Sequence, residues 1–123
     1  MRNKKDNLVY VQDIRDAIDN IMSYSSSKTI EQFTSSEWDQ AAIIRFFEII
    51  GEAASNIDDS FKEKFSEVEW RDMSDFRNYL IHDYADIDVD IVWDAITKNV
   101  PLLKEKVENV LRTTQTLINK EIL

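Results

Sequence analysis

The scarcity of turn-forming residues constrains the fold of this chain more than any other feature. Its 123 residues contain one glycine, Gly51, and one proline, Pro101. Short hairpins rely on such residues for their tight turns, so a sheet of hairpin-connected strands is disfavoured. Apolar residues make up 43% of the chain, which suffices to bury one core. The sequence predicts a single all-α domain over residues 1–123, an up-and-down bundle of about four to five helices.

Other rare residue types exclude several kinds of site. The chain has no cysteine and a single histidine, His82. A disulfide framework is therefore impossible and a zinc site is disfavoured, so we expect no metal and no cofactor. No stretch approaches the run of about 18 apolar residues that a membrane-spanning helix needs, and the basic start is not followed by an apolar signal core. We expect a cytoplasmic protein with no membrane partner.

The net charge of the chain is −9. This balance disfavours a general nucleic-acid binder, because phosphate contacts require a basic surface. If RNA is a substrate, a small local site must bind it. The acidity is equally compatible with a basic partner protein.

Hydrophobic periodicity locates the first three helices. Apolar residues recur every three or four positions over residues 7–24, and a short helix with Ile30 and Phe33 follows. A third helix, over residues 36–56, has two adjacent apolar stripes that together exceed the width of about 100° typical of a surface helix. It needs a second apolar neighbour, so we infer a homodimer. Gly51 lies mid-helix, where it costs about 1 kcal/mol relative to alanine; close approach of another helix would explain it.

The second half of the chain contains the most informative helix. A short helix capped near Asp58 precedes a helix over residues 70–84, called the motif helix below. A break at residues 85–88 separates it from a last long helix. Pro101 must kink or divide that last helix near Asn99.

The motif helix contains His82, five residues after Arg77. On an ideal helical wheel His82 lies on the polar face, one turn after Asn78, whose amide could orient the imidazole. Arg77 falls among the apolar positions, roughly 140° from His82. A guanidinium there needs a carboxylate partner, for which Glu48 and Glu52 are the candidates, or an anionic ligand.

Each of these residues also has an ordinary structural interpretation. A lone surface histidine is usually solvated and without a role, and an arginine on an apolar face is more often part of a structural ion pair. Tyr84 alone is more often an aromatic residue at the edge of a core. The combination is more specific, since Arg77, Asn78, His82 and Tyr84 follow the order R-N-x-x-x-H-x-Y.

This order resembles the R-x(4 to 6)-H motif of the HEPN superfamily, and more narrowly the R-x4-H-x-Y form of HepT-like toxins. The resemblance covers nearly the whole chain, including Gly51-Glu52-Ala53-Ala54 upstream and Val92-Trp93 downstream. It implies a helical bundle and a homodimer with a composite site. It also implies metal-independent RNA cleavage by Arg77 and His82, with Asn78 as a polar helper.

The resemblance further implies a partner protein. HepT-like toxins are the nuclease half of a toxin–antitoxin pair, and the other half is a minimal nucleotidyltransferase. The resemblance makes Tyr84 the residue that this antitoxin modifies with AMP. AMP on the hydroxyl would add bulk and negative charge near the cleft and so repel an RNA phosphate.

The residues themselves are suited to this chemistry. Cleavage of RNA through its own 2′-hydroxyl needs a base, positive charge on the phosphate, and an acid for the leaving oxygen. Histidine changes charge near neutral pH, so His82 is the natural base, and the planar fork of Arg77 can hold two phosphate oxygens. A two-fold dimer would bring a second set of these residues to supply the acid.

Two alternatives remain open at the level of sequence. One is a catalytically inactive HEPN-like module that binds a nucleotide or acts as a protein-interaction partner of the nucleotidyltransferase, which the acidity of the chain favours. The other is a plain structural helical dimer.

Overall fold

The part of the chain that the computed structural model describes, residues 4–122 with the side chains of residues 7–120, is all-α and contains no strand. This confirms the predicted fold class. No helix within it is long and apolar enough to cross a membrane. The α-helices are α1 (Lys4–Ser25), α2 (Ile30–Thr34), α3 (Glu37–Asn56), α4 (Asp59–Lys64), α5 (Trp70–His82), α6 (Val89–Asp94) and α7 (Val100–Ile122).

The bundle is organised around α3, which contacts α1 and α5, while α7 packs against α1. Burial of apolar side chains drives this packing, since each large one contributes about 1.5–3 kcal/mol when fully buried. The predicted helices over residues 7–24 and 36–56 correspond to α1 and α3. The largest side chains with almost no exposure include Ile14, Ile18, Phe33, Ile43, Leu80, Ile96 and Val107.

The last long helix is divided where the sequence predicts. Pro101 lies in the first turn of α7 and has no N–H to donate to the preceding turn. The chain adapts through a π-helical turn, Ala95–Asn99, in which the Val100 N–H donates to the Ala95 carbonyl five residues back. Because the turn continues into helix on both sides, α6 and α7 form one interrupted rod.

The motif helix is shorter than predicted, because α5 ends at His82. The Asp83 N–H donates to the Tyr79 carbonyl (2.9 Å), and a 3-10 turn follows over Tyr84–Asp86. The Tyr79 hydroxyl accepts from the Asp88 N–H (3.1 Å) and ties the following turn to α5. The prediction of helix up to residue 84 is therefore wrong by two residues.

Candidate active site

The only glycine of the chain marks the closest approach of α3 and α5. Gly51 is buried in the middle of α3. A Cβ atom added there would collide with the Cβ of Arg77, lie 2.7 Å from the Met73 carbonyl oxygen, and lie 3.1 Å from the Arg77 Cγ. No larger residue fits without moving α5. The expectation that a neighbouring helix explains this glycine is confirmed, and the neighbour is the helix that carries the motif.

Further contacts fix α5 on α3 beside this point. The rings of Phe47 on α3 and Phe76 on α5 meet edge to face with centroids 5.0 Å apart. The Ser74 hydroxyl donates to the Gly51 carbonyl at 3.5 Å, a long hydrogen bond. The stem of Arg77 thus leaves a well-packed helix pair.

Within the part of the chain whose side chains are described, the guanidinium of Arg77 makes only neutral polar contacts. Its Nε donates to the Asn78 side-chain oxygen (3.1 Å), and its Nη1 donates to the Ser55 hydroxyl (3.5 Å). A guanidinium has five N–H donors, so these bonds leave several for a ligand. Among residues 7–120, no carboxylate lies within ion-pair distance of Arg77.

The expected carboxylate partners of Arg77 lie elsewhere. Arg45 Nη1 lies 3.6 Å from Glu48 Oε1 and 3.4 Å from Glu52 Oε1, so both carboxylates pair within α3. The prediction that Glu48 or Glu52 is the resting partner of Arg77 is therefore wrong. Arg45 can reach both because all three residues share one face of the helix.

His82 is the last residue of α5, and its side chain is exposed, as the helical wheel predicts. The Asn78 side-chain oxygen accepts from Arg77, so the amide orients the guanidinium and not the imidazole. Asp75, on the same helix, pairs with Arg71, with Oδ2 and Nε 3.9 Å apart. Arg77 and Asn78 therefore form one hydrogen-bonded pair, and within the described residues no hydrogen bond joins His82 to it.

Tyr84 is 79% exposed, which rules out its interpretation as a core-edge aromatic. The wheel placed it on the apolar arc by continuing the helix, but α5 has already ended when the chain reaches it. Its neighbour Ile81 is 49% exposed as well. The end of α5 therefore presents an imidazole, a phenol and an aliphatic side chain to the surroundings.

Comparison with known proteins gives the family of this chain. The family described as Ribonuclease HepT-like matches residues 14–110, which include the motif and the helices that pack around it. The chain belongs to the HepT-like family. This agrees with the resemblance carried by Arg77, Asn78, His82 and Tyr84.

Relatives of this HepT-like chain carry names of the same kind. A probable ribonuclease HepT of Thermococcus cleftensis is 37% identical over 107 residues, covering 87% of this chain and 97% of the relative. A candidate RNase of Methanocaldococcus jannaschii is 35% identical over 107 residues, covering 87% of this chain and 98% of the relative.

A longer M. jannaschii protein, named for both a gamma-glutamylcyclotransferase and an RNase, is 34% identical over 108 residues. That match covers 88% of this chain, but the chain spans only 49% of the relative. No solved structure gives a significant match.

One contact of this HepT-like site was missed at the level of sequence. Ser55 is not among the residues predicted for the site, yet its hydroxyl accepts from Arg77. The spacing from Gly51 could have indicated this contact, because Ser55 lies one turn after Gly51 on the face of α3 that approaches α5.

Proposed function

We propose that this chain is a metal-independent endoribonuclease that cleaves RNA through attack of the 2′-hydroxyl. The observation that carries the proposal is the state of Arg77, whose stem is held against Gly51 and whose guanidinium has no carboxylate partner among residues 7–120. A guanidinium of this kind can bind a phosphate without first breaking an ion pair. The names of the relatives support RNA as the substrate.

In the proposed reaction His82 removes the proton from the 2′-hydroxyl. The 2′ oxygen then attacks phosphorus, the bond from phosphorus to the 5′ oxygen breaks, and a second proton donor protonates that leaving oxygen. Arg77 neutralises charge on the phosphate oxygens in the transition state. The products are a 2′,3′-cyclic phosphate and a 5′-hydroxyl.

The second proton donor is proposed to come from another copy of the chain. His82 is the only histidine in the sequence, so one copy of the chain offers no second histidine as the acid. A homodimer would combine the residues of two copies in a composite site, where His82 of the second protomer protonates the leaving oxygen.

The exposed face of α3 is a suitable surface for that homodimer. Trp38 is 88% exposed, Ala42 is exposed, and Ile49 is half-buried on the same face. Large apolar residues exposed beside small ones are typical of helix interfaces, because small residues allow close approach.

We further propose that the chain is the toxin of a toxin–antitoxin pair and that a nucleotidyltransferase antitoxin modifies Tyr84 with AMP. The exposure of Tyr84 supports this, because its hydroxyl is accessible to a second enzyme without unfolding. The added phosphate would lie two residues from His82 and repel an RNA phosphate. The proposed place of action is the cytoplasm.

A second candidate function is a non-catalytic HEPN-like module that binds a nucleotide or a protein partner. The exposed acids after His82, which include Asp83, Asp86, Asp88 and Asp90, favour it because they would repel an RNA chain. In this case Arg77 would hold one phosphate without cleavage.

The deciding experiment is cleavage of total RNA by the purified full chain in EDTA, with analysis of the fragment ends. We expect 2′,3′-cyclic phosphate ends with the wild type, and their loss in both His82→Ala and Arg77→Ala. Arg71→Ala is the matched control, because Arg71 is a 92% exposed arginine of the same helix that the site does not use. Absence of cleavage by unmodified protein, verified by intact mass, would support the non-catalytic module instead.

A further inference from the structure

A groove of about 420 Å³ lies between α5 and the rod formed by α6, the π-helical turn and α7. Its floor includes Phe47 and Ile50 of α3, and Phe76 and Leu103 line its walls. The volume falls within the range of about 300–1,000 Å³ that ligand sites occupy. The groove is therefore large enough to receive several side chains.

Two aliphatic side chains at this groove are exposed. Ile91 is 46% exposed and Leu102 is 60% exposed, and both line the groove. Single exposed aliphatic residues are common on protein surfaces. These two, however, extend a continuous apolar surface from solvent to the floor, which is typical of an interaction site.

The charge around the groove indicates which kind of partner could bind there. Its lining contains Glu69, Asp72 and Asp94 but no lysine or arginine. Lys106 pairs with Glu69, and Lys98 lies 3.4 Å from Asp94. Asp72 has no ion pair within the described part of the chain, so its charge is available to a cation.

This charge disfavours RNA as the occupant, because RNA would bring phosphates to carboxylates. An amphipathic helix with an apolar stripe flanked by lysine or arginine would match both the apolar floor of the groove and the carboxylates that line it.

We propose that this groove binds a basic amphipathic helix of a partner protein. The apolar side chains of that helix fill the space above Phe47 and Ile50, and its cations meet Asp72. His82 and Arg77 do not line the groove, so the site is separate from the proposed catalytic residues.

The probe is a fluorescein-labelled helical peptide of leucine and lysine in amphipathic order, with a peptide in which glutamate replaces lysine as its counterpart. Fluorescence anisotropy with the full chain measures both. We expect the lysine peptide to bind and the glutamate peptide to bind at least tenfold more weakly. Raising the salt concentration should weaken the lysine peptide's binding.

Leu102→Asp tests the location of binding. Leu102 is exposed, so a charge there leaves the core intact, and we expect at least a tenfold increase in Kd. Leu117→Asp is the matched control, because Leu117 is also an exposed leucine of α7 (38%) but does not line the groove. Asp72→Asn should weaken binding severalfold and reduce its salt dependence.

Three results would overturn the proposal. The first is no binding of the lysine peptide, and the second is equal Kd values for Leu102→Asp and Leu117→Asp, which would indicate nonspecific attraction to an acidic surface. The third is a change of the protein from dimer to monomer with Leu102→Asp in sedimentation, which would identify a second copy as the occupant.

Discussion

Replacing Gly51 with alanine should separate the two helices that hold Arg77. The added Cβ would lie 2.7 Å from the Met73 carbonyl oxygen and collide with the Cβ of Arg77. Neither atom can be moved by a change of side-chain rotamer, because the backbone of α5 fixes both. The overlap can be relieved only by moving α5 away from α3.

The magnitude follows from two opposing effects. Alanine is favoured over glycine in a helix interior by about 1 kcal/mol. Overpacking of a tight contact costs about 1–3 kcal/mol, and the upper value applies here because the neighbouring atoms are fixed. We expect the free energy of unfolding to fall by about 2 kcal/mol, which lowers Tm by about 8 °C for a domain of this size.

Urea unfolding and cleavage of RNA below the transition are the two assays. Asn109, an exposed residue within α7, provides the control. The difference in the free energy of unfolding between Asn109→Ala and Asn109→Gly measures helix propensity where no other helix is close. We expect Asn109→Ala to be more stable by about 1 kcal/mol. Gly51→Ala should reduce cleavage at least tenfold while still folded, because Arg77 moves. A Gly51→Ala protein as stable and as active as the wild type would refute the close-contact argument.

Three further predictions concern other surfaces. Trp38→Ala should weaken the proposed dimer at least tenfold in sedimentation without loss of helix, and an unchanged dimer would place the interface elsewhere. Burial, together with the hydrogen bond that its hydroxyl donates to Asp39 (2.8 Å), raises the pKa of Tyr24 from 10.0 to about 12. Because the pKa is higher in the folded state, the protonated hydroxyl stabilises that state. This stabilisation is complete below pH 10 and is lost as the pH rises toward 12. Tyr24→Phe should therefore lower the free energy of unfolding by about 1 kcal/mol at neutral pH. Urea unfolding should show that the difference between Tyr24→Phe and the wild type shrinks as the pH rises from 10 toward 12. Arg77→Lys keeps the charge but loses the planar fork, so cleavage should fall at least tenfold; full activity would show that a point charge suffices.

Much of this fold is predictable because periodicity and proline act locally. The apolar repeats of α1 and α3 give their bounds within a few residues, and Pro101 gives the division of the last helix near Asn99. The mid-helix Gly51 also predicts a close neighbour. Each of these inferences depends on the physics of one helix, which the sequence displays directly.

The end of α5 could not be predicted in the same way. No glycine or proline follows His82, and Asp83 ends the helix with φ −103° and ψ 24°, a conformation that many residues adopt. Hydrophobic periodicity continued to Tyr84, so the wheel placed a surface residue in the core. A helix end without a specific capping residue is determined by tertiary contacts, such as the bond between Tyr79 and the Asp88 N–H.

The ion pairs of α3 show another limit of sequence analysis. The spacing of Arg45, Glu48 and Glu52 indicates pairs within the helix, and the structure has them. Exposed pairs contribute only about 0–1 kcal/mol each, so the energy that selects between partners is small. Assigning Glu48 or Glu52 to Arg77 required a contact between helices that periodicity does not specify.

Gly51 and Arg77 are best understood as one structural unit. An arginine on the packed side of a helix normally needs either a carboxylate or a displaced stem. Here the missing side chain of Gly51 provides room for the Arg77 stem, and Asn78 and Ser55 orient the head without neutralising it. A carboxylate in the place of Ser55 would compete with an incoming phosphate for the same donors. The arrangement therefore keeps a positive charge available on an otherwise acidic protein, which is the local requirement for an RNA site on a chain of net charge −9.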